Sequence, residues 1–216
     1  MAKKKKTTAT KKTTAPAKAP QTTSAEDDSL FQLLDSKIEI PLSTLRDKHI
    51  FIATPCYGGQ IGEPYFRSMM RLVILCNKYN IQYTVSTLAN ESLITRGRNT
   101  LTSFFMENTS ATHLFFIDAD IEFNPEDILR MVAYDKPVVV GAYPKKAINW
   151  TSILGAARNP DMNEDAETIE GHSSNYVVNF EFLQDKDGKP TPQVQVQDNL
   201  VKLKDAGTGF LCIKKE

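Results

Sequence analysis

Asp118 and Asp120 stand two residues apart at the end of an apolar run, a setting in which paired carboxylates can hold a hard divalent cation. Leu114, Phe115, Phe116 and Ile117 read as a strand buried on both faces. Asn124, Pro125, Glu126 and Asp127 read as the start of a helix, with a cap, an early proline and acids in the first turn. Residues two apart on an extended segment point the same way, so the spacing predicts two carboxylates turned to one ion at the edge of a parallel sheet, where ligands bind. Mg²⁺ or Mn²⁺, shared between a few carboxylates and ligand phosphates, suits that donor set. Taken alone, the same pair also suits a hydrated strand-to-helix turn.

A second candidate lies in Asn90-Glu-Ser-Leu-Ile-Thr-Arg-Gly-Arg-Asn99. Arg96 and Arg98 are two apart, about 200° around a helix, so at most one of them faces a ligand. Gly97 between them costs a helix about 1 kcal/mol against alanine and marks close approach by another group. A third lies in Thr54-Pro-Cys-Tyr-Gly-Gly59, where a strand runs into a glycine-containing turn, the way α/β folds bring backbone close to a nucleotide. It is neither a dinucleotide fingerprint nor a P-loop. Tyr143, Lys145, Lys146 and Trp150 follow the fourth strand in a loop, at the carboxyl edge of the sheet close to Asp118 and Asp120. Trp150 suits either an exposed stacking platform or a plug for the core.

Short apolar runs and helical periodicities place these groups. A strand at His49–Ala53 precedes a helix from Pro64 to about Tyr79, with Phe66, Met69, Met70, Val73 and Ile74 at helical spacing. Ile81–Leu88 is a second strand, and a helix runs from the Asn90 segment to about Asn108. After the aspartates come a helix over Pro125–Tyr134 and a strand over Pro137–Tyr143. Such alternation predicts an α/β fold with a mostly parallel sheet, helices on its faces and right-handed crossovers. Beyond Pro144 the pattern turns polar as far as Ser174, after which Tyr176–Phe182 and Gln193–Gln197 flank Asp187-Gly188 as a β-hairpin. Lys202–Ile213 adds one or two strands.

Residues 1–28, rich in Lys, Thr, Ala and Pro, lack any apolar face and read as a disordered tail. Residues 29–48 read as a docking segment, and 49–216 as one folded domain. Of 26 basic residues, seven lysines fall in the first twenty positions, leaving 19 against 26 acids, a net charge of −7 on the rest. An acidic body argues against a specific nucleic-acid partner. Three cysteines without metal-ligand spacing predict reduced packing residues and a cytoplasmic setting. No apolar run approaches the length of a transmembrane helix.

Four segments, "IFIATPCYGG", "NESLITRGRN", "FFIDADIEF" and "AGTGFLCI", resemble in order the motifs of glycosyltransferases with the GT-A fold, a Rossmann-like architecture, especially the family 2-like group and related viral and phage enzymes. That resemblance implies a metal-dependent hexosyltransferase moving a sugar from a nucleotide-diphosphate donor to a glycan or other hydroxyl acceptor. It implies that Thr54, Pro55 and Tyr57 face the nucleoside, that Arg98 meets the diphosphate, and that Asp118 and Asp120 hold ribose and Mn²⁺ or Mg²⁺. Tyr143, Lys145 and Trp150 are the acceptor-side candidates. Two departures stand out: Ser86-Thr-Leu-Ala-Asn90 lacks the base-recognising acid of many relatives, and no Glu-Asp pair follows the "GTGF" segment. A domain cut short at its C-terminus, or a substitute base such as Glu122 or Glu181, would account for the second. The alternatives are a non-catalytic nucleotide-sugar-binding or structural protein on the same fold, and an Asp-x-Asp phosphatase, which would place the motif on its first strand.

Overall fold

The computed structural model describes residues 40–158 and 170–216. Its first half alternates as the periodicities require: β1 (His49–Cys56), α1 (Glu63–Tyr79), β2 (Gln82–Ala89), α2 (Ile94–Glu107), β3 (His113–Ile117), α3 (Pro125–Ala133) and β4 (Val138–Val140). Then follow β5 (Pro144–Ile148), α4 (Trp150–Ala157), β6 (Ser174–Tyr176), β7 (Val178–Phe180), β8 (Phe182–Gln184), β9 (Pro190–Val194), β10 (Val196–Gln197), β11 (Leu200–Val201), β12 (Leu203–Ala206) and β13 (Phe210–Lys214).

Five strands form the central sheet in the order β2-β1-β3-β13-β4. The fold is α/β, but the sheet is mixed, which corrects the expectation of a mostly parallel one. β1 pairs with β2 and β3 in parallel, whereas β13 runs antiparallel to both β3 and β4. β4 therefore points the same way as β3 but does not touch it. One row of residues crosses the whole sheet: Val85, Ile52, Phe115, Cys212 and Val139.

Alternation along the strands divides the core. Ile50, Ile52, Phe115, Ile117 and Cys212 face α1 and α3, where Leu72, Leu75, Ile128, Leu129 and Val132 complete the packing. Phe51, Ala53, Leu114 and Phe116 face the other way onto Leu101 and Phe105 of α2. Phe115 and Ile52 are wholly buried, each worth roughly 1.5–3 kcal/mol against an exposed side chain. α1 carries a proline in its first turn and ends at Asn80, whose φ of 54° is the left-handed terminus that asparagine tolerates.

Several boundaries move. The second helix begins at Ile94, and the fourth strand ends at Val140. Lys145 and Lys146 lie on β5, which pairs with β6, and Trp150 opens α4, so neither lies in the expected loop. A hairpin does surround Gly188, with β8 against β9, but Tyr176–Phe182 is broken into pieces, and β7 pairs with β12. Cys56, Cys76 and Cys212 are free and buried, as packing residues should be. Of the docking segment, Ile40 and Leu45 are buried in the core around a short 3-10 turn at Leu42–Thr44; residues 1–28 lie outside the described residues. Among the described residues no helix is long and apolar enough to cross a membrane.

Candidate functional site

The carboxyl ends of β1 and β3 open on one cleft of about 1020 Å³. β3 ends because Asp118 breaks the apolar run, and α3 begins because the Asn124 Oδ1 accepts from the Glu126 backbone N–H at 3.1 Å ahead of Pro125. Residues 118–123 are left as a connector carrying both aspartates. It is a turn rather than an extension of the strand, since the Ile121 N–H donates to the Asp118 carbonyl at 3.1 Å. Its position is fixed from both sides: Gly62 N–H donates to the Ala119 carbonyl at 2.7 Å, and Asp118 N–H to the Gly209 carbonyl at 2.8 Å.

Two-residue alternation therefore does not set the carboxylates. They part, each toward a different cation. Arg98 on α2 donates to Asp118 Oδ1 at 2.6 Å and to the Thr208 carbonyl at 3.0 Å, with its guanidinium 4.9 Å from the Phe116 ring centroid. Lys146 on β5 pairs with Asp120, whose carboxylate raises the lysine above its ordinary pKa. The side chain of Asp118 is 37% exposed and that of Asp120 52%, and both line the cleft.

As a donor set, two carboxylates on one connector would suit a hard divalent ion that takes further oxygens from its ligand, although each is paired here with a cation of the chain itself. Among the described residues no three His, Cys, Asp or Glu side chains gather as a self-sufficient metal site. A cation here would be held by Asp118 and Asp120 and completed from outside the chain.

Helical spacing separates the arginines. Arg98 lines the cleft, while Arg96 turns to Glu91, donating from Nη2 to Oε1 at 2.7 Å. The Arg96 bond, and then the Leu93 backbone N–H, hold the Glu91 carboxyl down at about 2. Gly97 is explained by the same neighbour: a Cβ there would lie 3.3 Å from Glu91 Cγ and 3.7 Å from Leu88 Cδ2.

Of the expected nucleoside-facing residues, Pro55 and Tyr57 line the cleft, and Tyr57 is 79% exposed. Thr54 does not line it. Its side chain is fully buried, and its hydroxyl is bonded to that of Tyr65 at 2.6 Å, so it ties β1 to α1. Tyr143 and Lys145 line the cleft. Trp150 does not, and at 65% exposure it does not plug the core either. Of the substitute acids, Glu122 lines the cleft, whereas Glu181 pairs with Lys202 at 3.0 Å.

The contacts of three residues escaped sequence reasoning. Lys146 was visible only as a loop cation, since its partner lies 26 residues away. Gly207 and Gly209 belong to the "GTGF" signal, but the reason for them lies in space. A Cβ on Gly209 would stand 2.7 Å from both Asp118 Oδ2 and the Tyr143 hydroxyl, and one on Gly207 would collide with that same hydroxyl. The Gly209 N–H donates to Tyr143 Oη at 3.1 Å.

No protein-family model matches the sequence, and no curated protein matches it. Among solved structures, the one described as "Crystal Structure of A197 from STIV" is similar at a TM-score of 0.41 with 19% identity, over 77% of this chain and 65% of that one. The chain thus matches just under two thirds of that protein's length, and a likeness of this extent assigns neither family nor activity.

Proposed function

We propose that this cleft binds a nucleotide-diphosphate sugar together with Mn²⁺ or Mg²⁺, and that the protein transfers the sugar to a glycan or other hydroxyl acceptor. One observation carries the proposal: Asp118, Asp120 and Arg98, from two different elements, meet in one cleft with Pro55 and Tyr57 at the carboxyl edge of the sheet. The four motif segments that resemble GT-A glycosyltransferases supply three of these elements and the Gly209 strap behind them.

The chemistry follows from charge. As the anomeric bond breaks, the departing nucleoside diphosphate gains negative charge, which Arg98, a cleft-lining cation, would stabilise. A divalent ion bound at Asp118 and Asp120 would supply electrostatic stabilisation of the same leaving group. Tyr57 offers an exposed ring for the base, and Pro55 an apolar wall.

A second reading, a non-catalytic nucleotide-sugar-binding protein, is favoured by the fact that both aspartates already carry a cation from the chain itself. Calorimetric titration with UDP and GDP, with and without Mn²⁺, tests the binding. Asp120→Asn is expected to remove the metal-dependent part while leaving the fold intact, because a half-exposed carboxylate adds little stability. Equal binding by both proteins would sink the site. Release of nucleotide from UDP- and GDP-sugars in Mn²⁺ then separates enzyme from binder.

A further inference from the structure

β2 is an edge of the central sheet, and all eight of its residues pair with β1 in one unbroken register. No strand among the described residues lies on its other side, so the N–H and C=O groups that alternate residues turn outward have no backbone partner there. Sheet edges are ordinarily blunted by shortness, charge, proline or a bulge. The opposite edge follows that rule, since β4 is three residues long and begins just after Lys136 and Pro137. β2 breaks it. Gln-Tyr-Thr-Val-Ser-Thr-Leu-Ala holds no charge, no proline and no register shift.

An apolar stripe stands beside this edge. Helical spacing puts Phe66, Met70, Val73 and Asn77 on one flank of α1, with Arg67, Arg71 and Lys78 on the other. Asn77 Nδ2 donates to the Tyr83 hydroxyl of β2 at 3.4 Å, which sets the apolar flank against the edge strand. Val85 lies in the same row as Ile52 and so turns to the same face of the sheet as α1. Phe66 is 53% exposed, and Met70 and Val85 are each 43% exposed, so the three form surface where their spacing alone would suit core.

We infer that this edge and flank form an interface with a second copy of the chain, in which the two β2 strands pair antiparallel about a two-fold axis and join both sheets into one. Charge and geometry select the copy. The exposed side chains of the strand, Gln82, Val85 and Thr87 among them, are neutral, so β2 meets itself without like charges opposed. A two-fold axis perpendicular to the sheet keeps both α1 helices on one face, where the stripe on each meets the same stripe on the other. A peptide laid along the edge would satisfy the backbone but lie in the plane of the sheet, leaving Phe66 and Met70 on the helix above it uncovered. Extent sets the strength. Eight strand residues and one helix flank fall short of the roughly 20–30 residues a side of a standard interface, so the dimer is a dissociable one, with a Kd of about 1–100 µM.

The test follows the mass of the full chain by sedimentation equilibrium from about 1 to 500 µM, with hydrogen exchange of residues 82–89 read over the same range. A reversible monomer–dimer equilibrium is expected, with exchange in β2 slowing as the dimer fills. Val85→Lys puts a charge on the edge and Met70→Lys one on the flank, and the two-fold brings each into the interface twice. Each is expected to weaken the dimer about tenfold or more. Thermal melting verifies that both variants fold, as half-exposed positions should allow. A dimer unchanged in both variants lies elsewhere on the surface and overturns the inference. A chain that stays monomeric throughout also overturns it, and slow β2 exchange in that monomer would assign the edge to another segment of the same chain. Growth beyond the dimer, which a closed two-fold does not give, overturns it as well.

Discussion

Arg98 donates to Asp118 at 2.6 Å across twenty positions of sequence, joining the helix behind the cleft to the strand end in front of it. The arginine is only 14% exposed, and its contacts with Thr208 and Phe116 hold it in place before any ligand arrives. A phosphate binding there meets an organised donor and loses little further entropy in ordering it.

Arg98→Ala is therefore expected to weaken nucleoside-diphosphate binding by roughly 1.5–3 kcal/mol, the worth of a hydrogen bond to a charged group. Arg96→Ala, which breaks only an exposed pair with Glu91, is expected to change it by less than about 1 kcal/mol. Calorimetry on both variants checks this, and a reversed order would reassign the arginine.

Lys146 contacts the oxygen atoms that a cation at Asp120 would need. Lys146→Met should therefore tighten Mn²⁺ binding in the absence of nucleotide by about two- to fivefold, the scale of a surface ion pair. Electron paramagnetic titration of free Mn²⁺ reads the difference. Weaker binding in the variant would mean that the lysine assists the ion rather than competing with it.

Gly209→Ala places a methyl group against Asp118 and the Tyr143 hydroxyl at 2.7 Å, so a loss of about 1–3 kcal/mol is expected, a fall of several degrees in Tm. Gly155, inside α4 with nothing within 4 Å of a new Cβ, gives the opposite expectation: Gly155→Ala should gain about 0.5–1 kcal/mol. Thermal melts of the pair test whether close approach, rather than backbone freedom, explains the strap.

Acid sensitivity should centre on His113, which is 1% exposed, with Nε2 unbonded and 3.8 Å from Asp135. Burial, then the nearby Lys48, lowers its pKa to about 4. The unfolded chain takes up the proton first, so stability is full above pH 6.5 and falls as pH drops toward 4, by about 3 kcal/mol. Asp135, held down at about 2 first by Lys214 and then by Lys48, adds a smaller loss between pH 3.8 and 2. Urea midpoints against pH should show the first decline in the wild type and a flatter curve in His113→Asn.

Much of the layout was legible in the sequence because local pattern determines it. The run from β1 to β4 follows from apolar periodicity and from signals such as Asn124-Pro125, whereas the spacing of Asp118 and Asp120 did not foretell that their carboxylates part toward Arg98 and Lys146. The place of β13 was not legible, since the pairing of Cys212 with Phe115 and Val139 joins residues that no local signal connects. Thr54 misled for a related reason. β1 is buried on both faces, so alternation could not say that its hydroxyl turned to Tyr65 rather than to the cleft.

The antiparallel strand inserted between β3 and β4 also fixes an order of events during synthesis. Until Phe210–Lys214 leaves the ribosome, the apolar edges of His113–Ile117 and Val138–Val140 have no partner, although every other strand of the sheet already exists. For that interval the nascent chain displays unpaired edges on both strands that can pair with a neighbour, so chaperone demand should drop once Phe210–Lys214 has emerged. Ribosome-bound chains arrested before Phe210 should be captured by holdase chaperones more strongly than chains arrested beyond Lys214 by a tunnel's length of added linker.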